Sequence, residues 1–199
     1  MSKPPNPALS RRILGIALEE LGDKPPEKVS MRRIAEKAGV SATAIYYYYP
    51  SKEALFERIK FDAMAELDGR VAAAIRPGDG PKERLVALVR EFAAWCLERH
   101  HLARLLMDEL PPQLDLDEEA MRKYYSVFFR ARDLVEEAVS AGILGERDVL
   151  LDVSVAQAAI WGIASQFRAK RVHPRFWDSI DPLIDRYIEL NFGNKGVAP

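Results

Sequence analysis

The side chains able to do chemistry form two sets. The first is Ser30, Arg32, Arg33, the run Tyr46-Tyr47-Tyr48-Tyr49, and Lys52. Hydroxyl, guanidinium, phenol and ammonium groups all donate hydrogen bonds, so this set suits an anion. Residues 1–60 hold 11 Lys+Arg against 7 Asp+Glu, a net +4, whereas residues 61–199 hold 18 against 23, a net −5. The whole-chain balance of −1 hides this asymmetry, which directs a polyanion to the N-terminal third alone. Four consecutive tyrosines cannot share one helical face, because successive residues lie about 100° apart. At least one is therefore expected to be exposed, and Tyr49 is expected in the core. Lys52 stands where a helix begins and backbone amides point outward, which doubly favours an anion.

The second set is Cys96, His100 and His101. Cys96 and His100 are four apart and can share a face. Two donors do not make a metal site, and His101 points elsewhere. No metal, cofactor or thiol chemistry is expected from them. The chain has no Gly-rich phosphate loop, no G-x-S-x-G and no H-E-x-x-H, so catalysis is not expected. A single cysteine also excludes a disulfide framework and fits a reducing, cytoplasmic setting. The N-terminus MSKPPNPALS lacks an apolar signal region. The run Val153 to Ala164 is too short to cross a bilayer, so no membrane is expected as a partner.

The elements that must hold these residues are helices. With 48% hydrophobic and 30% charged residues in 199, the chain can build a packed core. Residues 1–8 are Pro-rich and expected to be disordered. Ser10 is placed to cap an opening helix carrying Ile13, Ile16, Ala17 and Leu21, stopped by Gly22 and Pro25-Pro26. Ser30 to Ala38 reads as a second helix capped by Ser30, Gly39-Val40-Ser41 as a turn, and Ala42 to Tyr48 as a third helix. Ser51 then caps a long helix from Lys52 to about Ile75. Further helices are expected over Lys82–Arg99, Leu102–Leu110, Asp117–Ala141, Asp148–Lys170 and Phe176–Asn191, broken by Pro111-Pro112, Gly142 to Gly145 and His173-Pro174. The acidic run Asp115–Glu119 reads as an exposed helix start, and Gly193 to Pro199 as a frayed tail. No segment alternates with period two. The fold class is all-α, with about nine helices.

Two short helices joined by a Gly-containing turn, after an opening helix, describe a helix-turn-helix unit. In such units the second helix enters the DNA major groove. Gly39 suits the left-handed residue that ends the first of the pair, and Ser41 suits the cap of the second. The segment Met31-Arg-Arg-Ile-Ala-Glu-Lys-Ala-Gly-Val-Ser-Ala-Thr-Ala-Ile-Tyr-Tyr-Tyr-Tyr-Pro-Ser-Lys-Glu-Ala-Leu55 resembles the signature of the TetR family of transcriptional repressors. Ile13-Leu14 and Ala17 match its opening helix. The strong match covers residues 30–56 and a weaker one residues 11–60. The sequence departs from the pattern at Leu21, Pro25, Thr43, Ala44 and Tyr49; Ala44 lacks a hydroxyl that could bond a phosphate or a base.

The resemblance implies an N-terminal DNA-binding domain over residues 1–51 and a C-terminal ligand-binding and dimerisation bundle over 52–199. It implies DNA contacts from Ser30, Arg32, Arg33, Ala42, Thr43, Ala44, Tyr46, Tyr47, Tyr48 and Lys52. It implies a small effector in the bundle, sought near Phe61, Met64, Trp95, Arg99, Met107, Tyr124, Phe128, Trp161 and Gln166. The aromatic content there favours an apolar or aromatic effector. Operator DNA and a second copy of the chain are the implied partners, the copies joined through Asp148–Lys170 and Phe176–Asn191. The competing reading is a helical small-molecule-binding protein with a vestigial helix-turn-helix.

Overall fold

The computed structural model describes residues 6–108 and 118–193. Ten α-helices and two short 3-10 turns account for its regular structure, with no strand among the described residues. The helices are α1 (Pro7–Asp23), α2 (Met31–Lys37), α3 (Ala42–Tyr48), α4 (Lys52–Ala74), α5 (Pro81–Glu98), α6 (His100–Met107), α7 (Glu118–Tyr124), α8 (Ser126–Ser140), α9 (Val149–Arg168) and α10 (Asp181–Phe192). Leu110, Pro111-Pro112, Asp115 to Asp117 and the ends of the chain lie outside the described residues.

Several boundaries differ from those read from the sequence. The opening helix begins earlier, with Asn6 as its cap: the Asn6 side-chain oxygen accepts from the Ala8 amide at 3.0 Å, and Pro7 fills the first turn without losing a needed donor. Ser10 does not cap; its hydroxyl meets that of Tyr49 at 2.8 Å. The last helix starts at Asp181 rather than Phe176, because Pro182 is tolerated only in a first turn. Phe176 instead ends the 3-10 turn Pro174–Phe176. The stretch expected as one helix from Asp117 to Ala141 is two, interrupted at Tyr125, whose ψ of 20° departs from the helix. These divisions raise the count from about nine to ten.

The chain divides into two compact units, each with its own core. The first comprises residues 6–63 and 99–108 of the described chain. Ile13, Ala17 and Leu21 of α1 are buried with Ile34 and Ala35 of α2, Ile45 of α3, Leu55 and Ile59 of α4, and Leu102 and Leu105 of α6. The second comprises residues 64–98 and 118–193. Leu67, Val71, Leu85, Phe92, Trp95, Cys96, Val135, Ala138, Ile160, Ala164 and Ile184 are buried there. Burial of apolar side chains supplies the main stabilisation of both units, about 1.5–3 kcal/mol for each large one. A bidentate Arg130–Asp68 pair ties α8 to α4, and Arg84 Nη1, shared between both Glu137 oxygens, ties α8 to α5 in the second unit.

Helix α9 carries an unusual imbalance. It is long and apolar enough, by length and composition, to cross a membrane, yet only 17% of its most apolar window is buried. Val153, Ile160 and Ala164 face the core. Leu151, Val155, Ala158 and Gly162 follow at helical spacing on the other side, where Leu151 and Val155 are 59% and 58% exposed. At Gly162 a β-carbon would meet no atom within 4 Å.

Candidate nucleic-acid interface

Local chemistry dictates the geometry of α2, the turn and α3. Helix α2 ends in a Schellman motif: the Val40 amide donates to Ala35 O at 3.0 Å and the Gly39 amide to Glu36 O at 3.1 Å. This closure needs a left-handed residue, and Gly39 takes φ +66° without the clash a β-carbon would bring. The chain then turns into α3, where Ser41 Oγ accepts from the Ala44 amide at 3.1 Å. Ile45 is fully buried and anchors α3 to the core beside Ile34 and Ala38. With that side fixed, Ala42, Thr43, Tyr46 and Tyr47 are presented to solvent, both tyrosines 48% exposed. Ala44 is half-buried.

The remaining tyrosines are engaged. Tyr48 packs edge-on against Tyr47, ring centroids 5.5 Å apart, and its hydroxyl accepts from the Asn6 amide at 3.1 Å. It therefore joins α3 to the start of α1. Tyr49 is buried, as expected, and its hydroxyl bonds Ser10.

Ser30, Arg32 and Arg33 flank the first turn of α2, and all three are exposed. Ser30 precedes α2 without a capping hydrogen bond from its side chain, so the capping role expected of it is not realised. The helix is anchored instead by buried Met31 and Ile34. Arg33 is tied down: its Nε donates to Glu20 at 3.1 Å. Glu20 also receives Lys24 at 2.6 Å and Lys37 at 2.5 Å. Hydrogen bonding from Lys24 and Lys37 holds this buried carboxyl at a pKa of about 2, against the opposing cost of burial. Lys52 is likewise partly committed. Its ammonium donates to Pro26 O at 2.7 Å and lies 5.1 Å from the Phe56 ring centre, leaving two of its three donors for another partner.

The nine residues sought for an effector fall in both units. Met64, Trp95, Tyr124, Phe128, Trp161 and Gln166 belong to the second, Phe61, Arg99 and Met107 to the first. Trp95 and Tyr124 are buried, and the Trp95 indole donates to Glu66 at 3.3 Å. Gln166 and Arg99 are exposed, and the other five are half-buried. Cys96 is buried and its thiol is pushed up to about 12 by desolvation. The described residues hold no cluster of three or more metal-ligating side chains.

Sequence reading missed Glu20 and Asn6 as organisers of this unit and gave Ser10 a capping role in place of its bond to Tyr49. Asn6 followed by Pro7 was a legible helix-start signal. Glu20 had only its i,i+4 spacing to Lys24, since the other two cations come from another helix.

Comparison with known proteins converges on the same segment. Residues 13–59 match the model of the bacterial regulatory proteins of the tetR family. The HTH-type transcriptional repressor KstR2 of Mycolicibacterium smegmatis is 26% identical over 145 residues, 69% of each chain. A regulatory protein of the tetR family from Rhodococcus RHA1 superposes with a TM-score of 0.69 at 21% identity, covering 98% of this chain and 100% of that one. AibR, solved with isovaleryl coenzyme A and operator DNA, has a TM-score of 0.66 at 19% identity, covering 93% and 98%. FadR of Bacillus subtilis, solved with stearoyl-CoA, has a TM-score of 0.68 at 18% identity, covering 94% and 99%. The Schellman-closed turn, the Ser41 cap and the buried Ile45 all lie within the matched segment, so residues 13–59 form a DNA-binding domain of the type found in the bacterial regulatory proteins of the tetR family.

Proposed function

We propose that this protein is a cytoplasmic homodimeric repressor, released from its operator by an acyl-CoA effector. The observation that carries the DNA-binding reading is α3 itself, a rigidly capped helix whose solvent face is Ala42, Thr43, Tyr46 and Tyr47. Arg32, Lys52 and the tyrosine hydroxyls are the proposed contacts to bases and phosphates. Arg33 is a weaker candidate because Glu20 already holds it. The stripe of exposed Leu151, Val155 and Ala158 with half-buried Gly162 on α9, together with Leu190 of α10, is the proposed dimer face. One short helix reads few base pairs, and a two-fold dimer reads two half-sites. Coenzyme A thioesters bound to AibR and FadR support the effector class.

The test is fluorescence anisotropy with DNA from upstream of the protein's own gene, repeated over a salt series. Nanomolar binding that weakens with salt is expected, because phosphate contacts release counterions. Arg32→Ala and Tyr47→Ala should each cost roughly 1–3 kcal/mol if a base contact is lost. Unchanged affinity in both variants, with helicity intact, overturns the interface.

A further inference from the structure

The connector between α9 and α10, residues 168–177, concentrates cations without an acid: Arg168, Lys170, Arg171 and Arg175, all exposed. Most arginines elsewhere in the second unit pair, as Arg70 does with Glu91, Arg84 with Glu137, Arg90 with Asp185, Arg130 with Asp68 and Arg147 with Asp152, Arg76 being an isolated exception. None of the four connector cations has an ion-pair partner among the described residues. The dipole of α9 explains a cation in its last turn, which is Arg168 alone; the other three lie beyond the helix.

The connector is also ordered by its own side chains. The Lys170 amide donates to Phe167 O and the Arg171 amide to Gln166 O, each at 2.9 Å, closing α9. Lys170 makes this closure at φ 52°, a conformation usually left to Gly or Asn. Its ammonium lies 5.3 Å from the ring centre of Trp177, and the Trp177 indole donates to Val172 O at 3.1 Å. The Arg175 guanidinium stacks on Phe176, 4.3 Å from its ring centre. Four exposed cations are thus held on one short ordered segment beside the exposed Trp177, groups able to pair with phosphate and to stack on a flat base.

The surroundings select the size of the anion. Outside the connector, the described residues of the second unit hold 11 Lys+Arg against 18 Asp+Glu. An extended polyanion meets that repulsion, whereas a compact one feels mainly the connector, since charges beyond about 8 Å are screened at physiological salt. We infer that residues 168–177 bind the adenosine 3′-phosphate 5′-diphosphate end of an acyl-CoA. This rests on the reading of the effector as an acyl-CoA.

The experiment is calorimetric titration of the full chain with coenzyme A, isovaleryl-CoA and stearoyl-CoA, using wild type and the exposed double variant Arg171→Ala/Arg175→Ala. Wild type is expected to bind coenzyme A itself, more weakly as salt rises. The variant should bind every CoA compound at least tenfold more weakly, the loss of about one charge-assisted hydrogen bond. Its operator affinity without ligand should be unchanged. Equal binding of acyl-CoA by both proteins overturns the connector as the subsite and leaves the effector reading standing. No binding of any CoA compound by wild type overturns both. A ligand-free loss of operator affinity in the variant assigns these cations to DNA and overturns the inference.

Discussion

Replacing Glu20 by Gln keeps the side chain's size and removes its charge. The native carboxylate is 2% exposed and takes hydrogen bonds or close contacts from Lys24, Arg33 and Lys37, which are 29%, 56% and 43% exposed. Its pKa falls from 4.5 to about 2. Taken at face value, that depression is worth about 3 kcal/mol of preference for the ionised, folded state. The cations are partly in water, which screens the pairs, so about 1–2 kcal/mol is the expected loss in Glu20→Gln at pH 7. The sign follows from the depressed folded-state pKa. The carboxylate's contribution is complete above pH 4.5 and is lost as the pH falls from there to about 2. Stability differences between wild type and Glu20→Gln should therefore be largest at neutral pH and close towards pH 2. Urea unfolding at pH 7, 4 and 2.5 measures this through far-UV circular dichroism. Trp95, Trp161 and Trp177 all lie in the second unit, so their fluorescence separately reports the half that lacks Glu20. A variant as stable as wild type at pH 7, or a gap that stays constant down to pH 2.5, refutes the reasoning.

Three further outcomes are expected. Ile45→Ala removes the fully buried anchor of α3 and should cost about 2–5 kcal/mol, read as an earlier urea midpoint together with weaker operator binding; a shift in neither places the anchor elsewhere. Gly162→Arg has room within the protomer but would bury an unpaired charge in a dimer seam, so sedimentation at micromolar concentration should show monomer where wild type is dimeric. A fully dimeric variant rejects that face. Cys96, with its thiol pushed up to about 12, should be almost entirely un-ionised at pH 8 and should react with Ellman's reagent only after unfolding. Fast labelling of the native protein contradicts its burial.

What could be read from the residues alone was local. Gly39 and Ser41 announce the turn between α2 and α3 because the bonds they complete reach only three to five residues along the chain. The ordered string from Met31 to Leu55 carried the family resemblance for the same reason. Boundaries shifted where two local signals compete, as at Ser10 against Asn6-Pro7, or where a proline sets the first turn, as Pro182 does in α10. Other features depended on which helix meets which. Glu20 is four residues from Lys24, a spacing visible in the sequence, but Arg33 and Lys37 reach it from α2. The small residues of α9 advertised close packing without saying on which side. Only the tertiary structure leaves Leu151 and Val155 in solvent while burying Ile160 and Ala164, because a helix face is assigned by the partner that covers it and not by its own periodicity. That Arg168, Lys170, Arg171 and Arg175 have no ion-pair partner among the described residues is likewise a tertiary fact: a run of cations is legible in one dimension, but which carboxylates come within reach of it depends on how the helices pack.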